Sequence, residues 1–170
     1  MNQAHIHLLL NHFPILGSLF AAGILFFGVI LNDRKVNQVG LLSLVAFTLL
    51  TIPAFLSGHG AEEVIEDYPG ISHAAIHNHE EAAELGLWIM VIAGVIALVS
   101  YFLQRRKEQM HRLLSLITLV AATAAFGVFF RVGLTGGEIR HPEIIKPIAV
   151  PDNPGSDQLY NGEHEENDED

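Results

Sequence analysis

Residues 85–103 read Leu-Gly-Leu-Trp-Ile-Met-Val-Ile-Ala-Gly-Val-Ile-Ala-Leu-Val-Ser-Tyr-Phe-Leu, 19 consecutive positions without a charge. About 20 helical residues, rising ~1.5 Å each, cross a hydrocarbon core of roughly 30 Å, so this stretch predicts a transmembrane helix. Working outward, 113–134 carries a single charge, Arg131, and 39–57 is broken only by Thr, Ser and Pro53. The stretch 8–31 is apolar apart from Asn11, His12 and small residues. Four such runs leave almost no polar face for a soluble protein. The expected fold class is all-α, a four-helix transmembrane bundle with an extended acidic C-terminal tail.

Composition agrees. Of 170 residues, 50% are hydrophobic and 16% charged, with mean hydropathy +0.35. Soluble domains average about a quarter charged residues. The formal net charge is −10, and eight of the 19 acids follow Pro151, where no Lys or Arg occurs. No basic stripe exists for nucleic acid, and the absence of Cys removes disulfide, iron–sulfur and thiolate-heme chemistry. No phosphate-binding Gly loop opens a helix, since Gly136-Gly137 follows one, and no Ser or Thr nucleophile stands beside a base. Hydrolase and transferase functions are not expected. A redox carrier is favoured over a catalyst.

Topology follows from charge. The first segment lacks a basic leader, the first cation being Arg34, and its apolar run is longer than a signal peptide's, so it reads as a retained span. The 32–38 connection carries Arg34 and Lys35, and 104–112 carries Arg105, Arg106, Lys107 and Arg112. Six of nine basic residues therefore share one side, which the positive-inside rule assigns to the cytoplasm. Both termini and the 58–84 connection, expected to be partly helical, then face outward. The domain expectation is a four-helix membrane domain over 1–142 and a tail over 143–170. Within the tail, 144–150 is apolar between prolines and expected to be extended, and 151–170 is acidic and expected to be disordered.

The histidines are sorted by side. Eight of ten fall at or near the outer face: His5, His7, His12, His59, His73, His77, His79 and His141. Imidazole near lipid is costly without a partner, so such a cluster points to a site. At about 100° per residue, His73, His77, Glu80 and Glu84 occupy a wedge of about 60° if a helix begins near Ser72. His5 and His12 share another stripe, and His59, Glu63 and Glu66 align if the second helix runs past Gly58. For His5, His79 and the Glu63–Glu66 stripe, a water-facing interface role is expected. His12 sits inside an apolar helix with only Asn11 for company, and Pro14 frees the carbonyl of Leu10 beside it.

The stretch His7-Leu-Leu-Leu-Asn-His12-Phe13-Pro14-Ile15 resembles the HPxxVHFPI opening of a bacterial membrane family that bears only a domain-of-unknown-function name. That resemblance covers roughly residues 5–142. It implies four helices and a setting beside c-type cytochromes and Rieske proteins. Ser57-Gly58 would match a Gly turn ending the second helix, and His77 or His73 the His that opens the third. Gly136-Gly137-Glu138-Ile139-Arg140-His141 would match the end of the fourth. Leu8 stands where the family has Pro, and Pro142 where it has Gly.

Three chemistries fit this pattern. A b-type heme could be held by two imidazoles from different helices, His12 and His77, with His59 as a substitute and Arg131 buried toward the bundle to neutralise propionates. Alternatively, a transition-metal ion (Zn, Cu or Fe) could take mixed ligands from His7, His12, His73, His77, Glu80 and Glu84. In the third, the chain binds no cofactor and serves as an accessory or assembly subunit of a respiratory complex. Expected partners are the lipid bilayer, other respiratory-chain subunits and a soluble cytochrome at the outer face. The expected location is the bacterial cytoplasmic (inner) membrane.

Overall fold

The structure, a computed structural model, describes residues 2–141, and the expected tail at 143–170 lies outside them. The described chain is helical throughout: α1 (Gln3–Leu10), α2 (His12–Leu31), α3 (Arg34–Ile65), α4 (His73–Arg106) and α5 (His111–Arg140), with a single 3₁₀ turn at Glu108–Met110. Helices α1 and α2 together make one span, so among the described residues four helices are long and apolar enough to cross a membrane. The break between them falls at Asn11, three residues before Pro14, whose missing N–H leaves the carbonyl of Leu10 without its helical donor. Asn2 caps α1 by accepting from His5 N at 3.0 Å. Asn32, left-handed at φ 53°, ends α2, and Asp33 opens α3 by accepting from Lys35 N and Val36 N at 2.7 and 3.1 Å.

The helices outrun the apolar stretches that reveal them. The expected 58–84 connection shrinks to residues 66–72, because α3 continues to Ile65 and α4 already starts at His73. Ala- and Glu-rich segments such as Ala61-Glu62-Glu63 and Glu80-Glu81-Ala82-Ala83 favour helix whether or not they are apolar. Ser57-Gly58, expected at a helix-ending turn, therefore lies inside α3.

The bundle is cyclic: α2 packs on α3 and α5, and α4 packs on α5 and α3. Its core is narrow and built from small residues, with Ala21, Ala93, Ala97, Ala122 and Ala125 fully or almost fully buried beside Leu25, Leu41, Leu44 and Met90. Large apolar side chains, including Phe20, Phe27, Leu49, Trp88, Ile92, Val120 and Phe130, stand exposed on the outside. That inversion of a soluble bundle marks a lipid-facing exterior, with close helix approach in place of a thick core. Gly40 packs under Leu25, and Gly94 under Thr48. Some buried polar groups pair within the bundle: Thr118 Oγ1 donates to Ser100 Oγ at 3.1 Å, and Gln104 Nε2 to Ser115 Oγ at 2.9 Å.

The chain is a tandem of two helical hairpins. Shifting α1–α2 by 72 positions, from His7 onto His79, superposes buried on buried: Pro14 on Gly86, Ser18 on Met90, Ala21 on Ala93, Leu25 on Ala97 and Gly28 on Ser100. Shifting α3 by 78, from Ala54 onto Val132, does the same for α5: Asn37 on Ser115, Gly40 on Thr118, Leu44 on Ala122 and Thr51 on Phe129. The two hairpins run in the same sense, and α2 meets α5 as α3 meets α4, the arrangement of parallel repeats about an axis along the bundle.

Candidate functional site

Two imidazoles meet at the histidine-rich end of this bundle, one from each hairpin. His7 on α1 and His79 on α4 are both part-buried, with ring centroids 6.4 Å apart and ring planes at 84°. His7 Nδ1 lies 3.1 Å from the carbonyl of Ala54 and 3.2 Å from Ser57 Oγ. His79 Nδ1 lies 3.1 Å from the carbonyl of Val132 and 3.2 Å from Thr135 Oγ1. A carbonyl can only accept, so each Nδ1 carries the hydrogen and each neutral ring keeps its lone pair on Nε2. The hydroxyls reinforce this: Ser57 Oγ donates to Ala54 O at 2.8 Å and Thr135 Oγ1 to Val132 O at 3.0 Å, leaving their lone pairs for Nδ1–H.

A glycine stands beside each ring, and at Gly136 it makes room for His79. Gly58, next to Ser57, and Gly136, next to Thr135, flank His7 and His79 respectively. A Cβ on Gly58 would sit 3.6 Å from His7 Cε1, and one on Gly136 would sit 3.0 Å from His79 Cε1. Each half-site is therefore a His from one helix, and a carbonyl, a hydroxyl three residues on and a glycine from the next. Position for position, the two half-sites are repeats of one another.

Of the residues expected to form the site, His7 belongs to this pair and the others lie outside it. His12 is exposed, and its Nδ1 lies 3.3 Å from the carbonyl of Leu8 on its own side of the bundle. It follows His7 by five residues, about 140° around a helix, which turns it away from His7. His77 is exposed and lies 3.3 Å from Glu81, a helical neighbour. The inward stripe of α4 runs through Ala75, Ile76, Ala82, Gly86 and Met90, and His79 lies on it, whereas His77 is about 200° away. His59 is exposed and meets the ring of Phe55 edge-on at 5.8 Å. His73 opens α4 and is exposed, as is Glu84, while Glu80 is part-buried beside the carboxyl of Glu62. Among the described residues, no group of three or more His, Asp or Glu is arranged to hold a metal ion.

Arg131 is exposed, contrary to the expectation that it turns inward. It precedes Val132, the inward residue of that turn, and so lies about 100° off the buried stripe of α5. It lines a cleft of about 430 Å³ between α4 and α5, with Glu81 and Glu138.

His79 is the residue that sequence reasoning misplaced, by taking it as water-facing. The missed signal is internal repetition. His5-Ile6-His7 recurs as His77-Asn78-His79, and Leu56-Ser57-Gly58 as Leu134-Thr135-Gly136. Within each His-x-His pair, the second member is the part-buried one. Neither family models nor curated proteins nor solved structures offer a match to this chain.

Proposed function

We propose that this chain is a membrane-embedded one-electron carrier that holds a b-type heme at the histidine-rich end of the bundle, between His7 and His79. The observation that carries the reading is the His7–His79 imidazole pair, drawn from two helices with ring centroids 6.4 Å apart. A bare metal ion would find two of the four ligands it usually takes, whereas a heme would be held by His7 and His79 alone.

The chain's own residues would then act as follows. His7 and His79 present Nε2, and the Ala54 and Val132 carbonyls fix tautomer and ring orientation while raising ligand basicity. Ser57 and Thr135 limit ring rotation. Heme bound there would supply one-electron redox chemistry near one membrane face. The six basic residues at the opposite end support placing the site on the outer side of a bacterial inner membrane, with both termini outside. The resemblance of the opening motif to a family found beside cytochromes supports the same setting.

The test is an absorption spectrum of the detergent-purified protein, oxidised and dithionite-reduced. Sharp reduced α and β bands are expected, lost in His7→Ala and in His79→Ala and kept in His12→Ala. A featureless spectrum from protein expressed with ample heme would overturn the reading and leave the imidazole pair as a cofactor-free tie between hairpins.

A further inference from the structure

The cleft between α4 and α5 shares Thr135 with the imidazole pair. Its walls combine one cation, Arg131, two carboxylates, Glu81 and Glu138, the neutral polar groups of Asn78 and Thr135, and the apolar side chain of Leu85. Arg131 is exposed, and among the described residues it forms no ion pair. A guanidinium in an apolar helix is costly and marks a functional position unless it finds a partner. The flanks are lipid-facing: Leu85, Leu134 and Trp88 are about half exposed or more, at 49%, 51% and 60%. A ligand dissolved in the bilayer can therefore enter sideways.

We propose that this cleft binds the head group of a lipid-soluble quinone or quinol. The volume, about 430 Å³, falls in the range of small-molecule sites. Its polarity selects the ligand. A phospholipid phosphate would meet two carboxylates against one guanidinium, a wall of net negative charge. A quinol is neutral and needs acceptors for its hydroxyls, which Glu81 and Glu138 supply. A quinone needs a donor to its carbonyl, which Arg131 supplies. Leu85 and Ala82 offer the apolar surface that a ring and its methyl groups cover.

Thr135 ties this cleft to the imidazole pair, since the same side chain lines the cleft and bonds His79 Nδ1 at 3.2 Å. A head group seated there lies one side chain from a proposed heme ligand. The choice of a redox-active ligand rests on the heme reading; the shape, charge and lipid access of the cleft do not.

The test uses Trp88, the single tryptophan of the chain, which follows Leu85 by three residues and so lies on the same face of α4. Purified protein in nanodiscs of neutral lipid is titrated with a short-chain benzoquinone, and the quenching of Trp88 emission is recorded. Saturable quenching is expected, with its midpoint raised about tenfold in Arg131→Leu and in Glu138→Gln and unchanged in His12→Ala. Circular dichroism establishes that each variant is folded. Quenching that rises without saturation, identically in wild type and Arg131→Leu, would overturn the proposal. So would loss of saturable quenching when phosphatidylglycerol replaces neutral lipid, since an anionic lipid head group would then be the occupant. The reduced-minus-oxidised spectrum of the same sample reports the heme separately: saturable quenching without α and β bands keeps this site and removes the heme.

Discussion

Alanine at Gly58 and alanine at Gly136 are the same substitution at equivalent positions of the two hairpins, and they should have opposite outcomes. In a helix, Gly→Ala gains about 1 kcal/mol from reduced backbone freedom. At Gly58 the new methyl would rest 3.6 Å from His7 Cε1 and 3.8 Å from Nδ1, ordinary van der Waals contact. At Gly136 it would sit 3.0 Å from His79 Cε1 and 3.3 Å from Nδ1. Carbon atoms prefer about 3.5–4.0 Å, so the His79 ring would have to recede by roughly 0.5 Å. It is held at 3.1 Å by Val132 O and at 3.2 Å by Thr135 Oγ1, both in the turn of α5 just before Gly136. A retreat of that size takes the single Nδ1–H past hydrogen-bonding range of both acceptors, and leaving a part-buried donor unpaired costs about 1–3 kcal/mol. Gly136→Ala should thus end about 1–3 kcal/mol less stable than Gly58→Ala. Reversible unfolding in mixed detergent micelles measures the difference, and ¹⁵N shifts of the two imidazoles report which ring moved. Equal stabilisation by both alanines, with His79 Nδ1 still hydrogen-bonded, would refute the argument.

Further outcomes follow from the same geometry. Ser57→Ala and Thr135→Val each remove a hydroxyl and keep the carbonyl partner, so each should cost about 1 kcal/mol by thermal unfolding in detergent, with similar values in the two hairpins. His79→Ala should lower heme retained per chain by about tenfold or more, and His12→Ala should leave it near wild type, by pyridine hemochrome assay. Gly94→Ala would bring a methyl to 2.5 Å from Thr48 Oγ1, so a loss of about 1–3 kcal/mol is expected, recovered only in part by Thr48→Ala in the double variant, because the Cβ of residue 48 would still stand 2.8 Å away. A reporter active only in the cytoplasm, fused after Asp170, should stay silent in cells.

The fold was legible because its signal is long. Nineteen uncharged residues at 85–103 leave one structural answer, and three similar runs repeat it. Helix ends were less legible, since hydropathy stops where lipid stops, not where the helix does; α3 runs on to Ile65 through Ala61-Glu62-Glu63, residues that hydropathy reads as loop. The site was hardest. His5 and His7, or His77 and His79, differ by two positions, which on a helix is the difference between opposite faces. Choosing between them requires the helix's inward stripe, and on a mostly apolar helix that stripe is defined by small residues such as Ala82, Gly86, Ala93 and Ala97 rather than by a contrast of apolar with polar. A search for the most apolar surroundings selected His12, whose neighbours are apolar because they face outward.

The tandem architecture also explains why an imidazole pair stands where it does. A hairpin alone presents one His, one carbonyl, one hydroxyl and one glycine along the seam between its two helices. When a second copy packs in the same sense, the two seams close on each other, and the inward His of each copy meets its counterpart across the bundle axis. Nothing but the repeat need specify the meeting. The same relation predicts where the halves diverge. Arg131 falls, at an offset of 78, on Pro53, which is exposed on α3 but carries no charge. Glu138 falls on Gly60, and Glu81 falls, at an offset of 72, on Leu9. The three charged walls of the cleft are thus absent from the first hairpin, while both halves keep the His, the hydroxyl and the glycine. Binding of a quinone head group on the second hairpin alone, one per chain in a fluorescence titration, is the stoichiometry that this asymmetry requires, and two equivalent sites would contradict it.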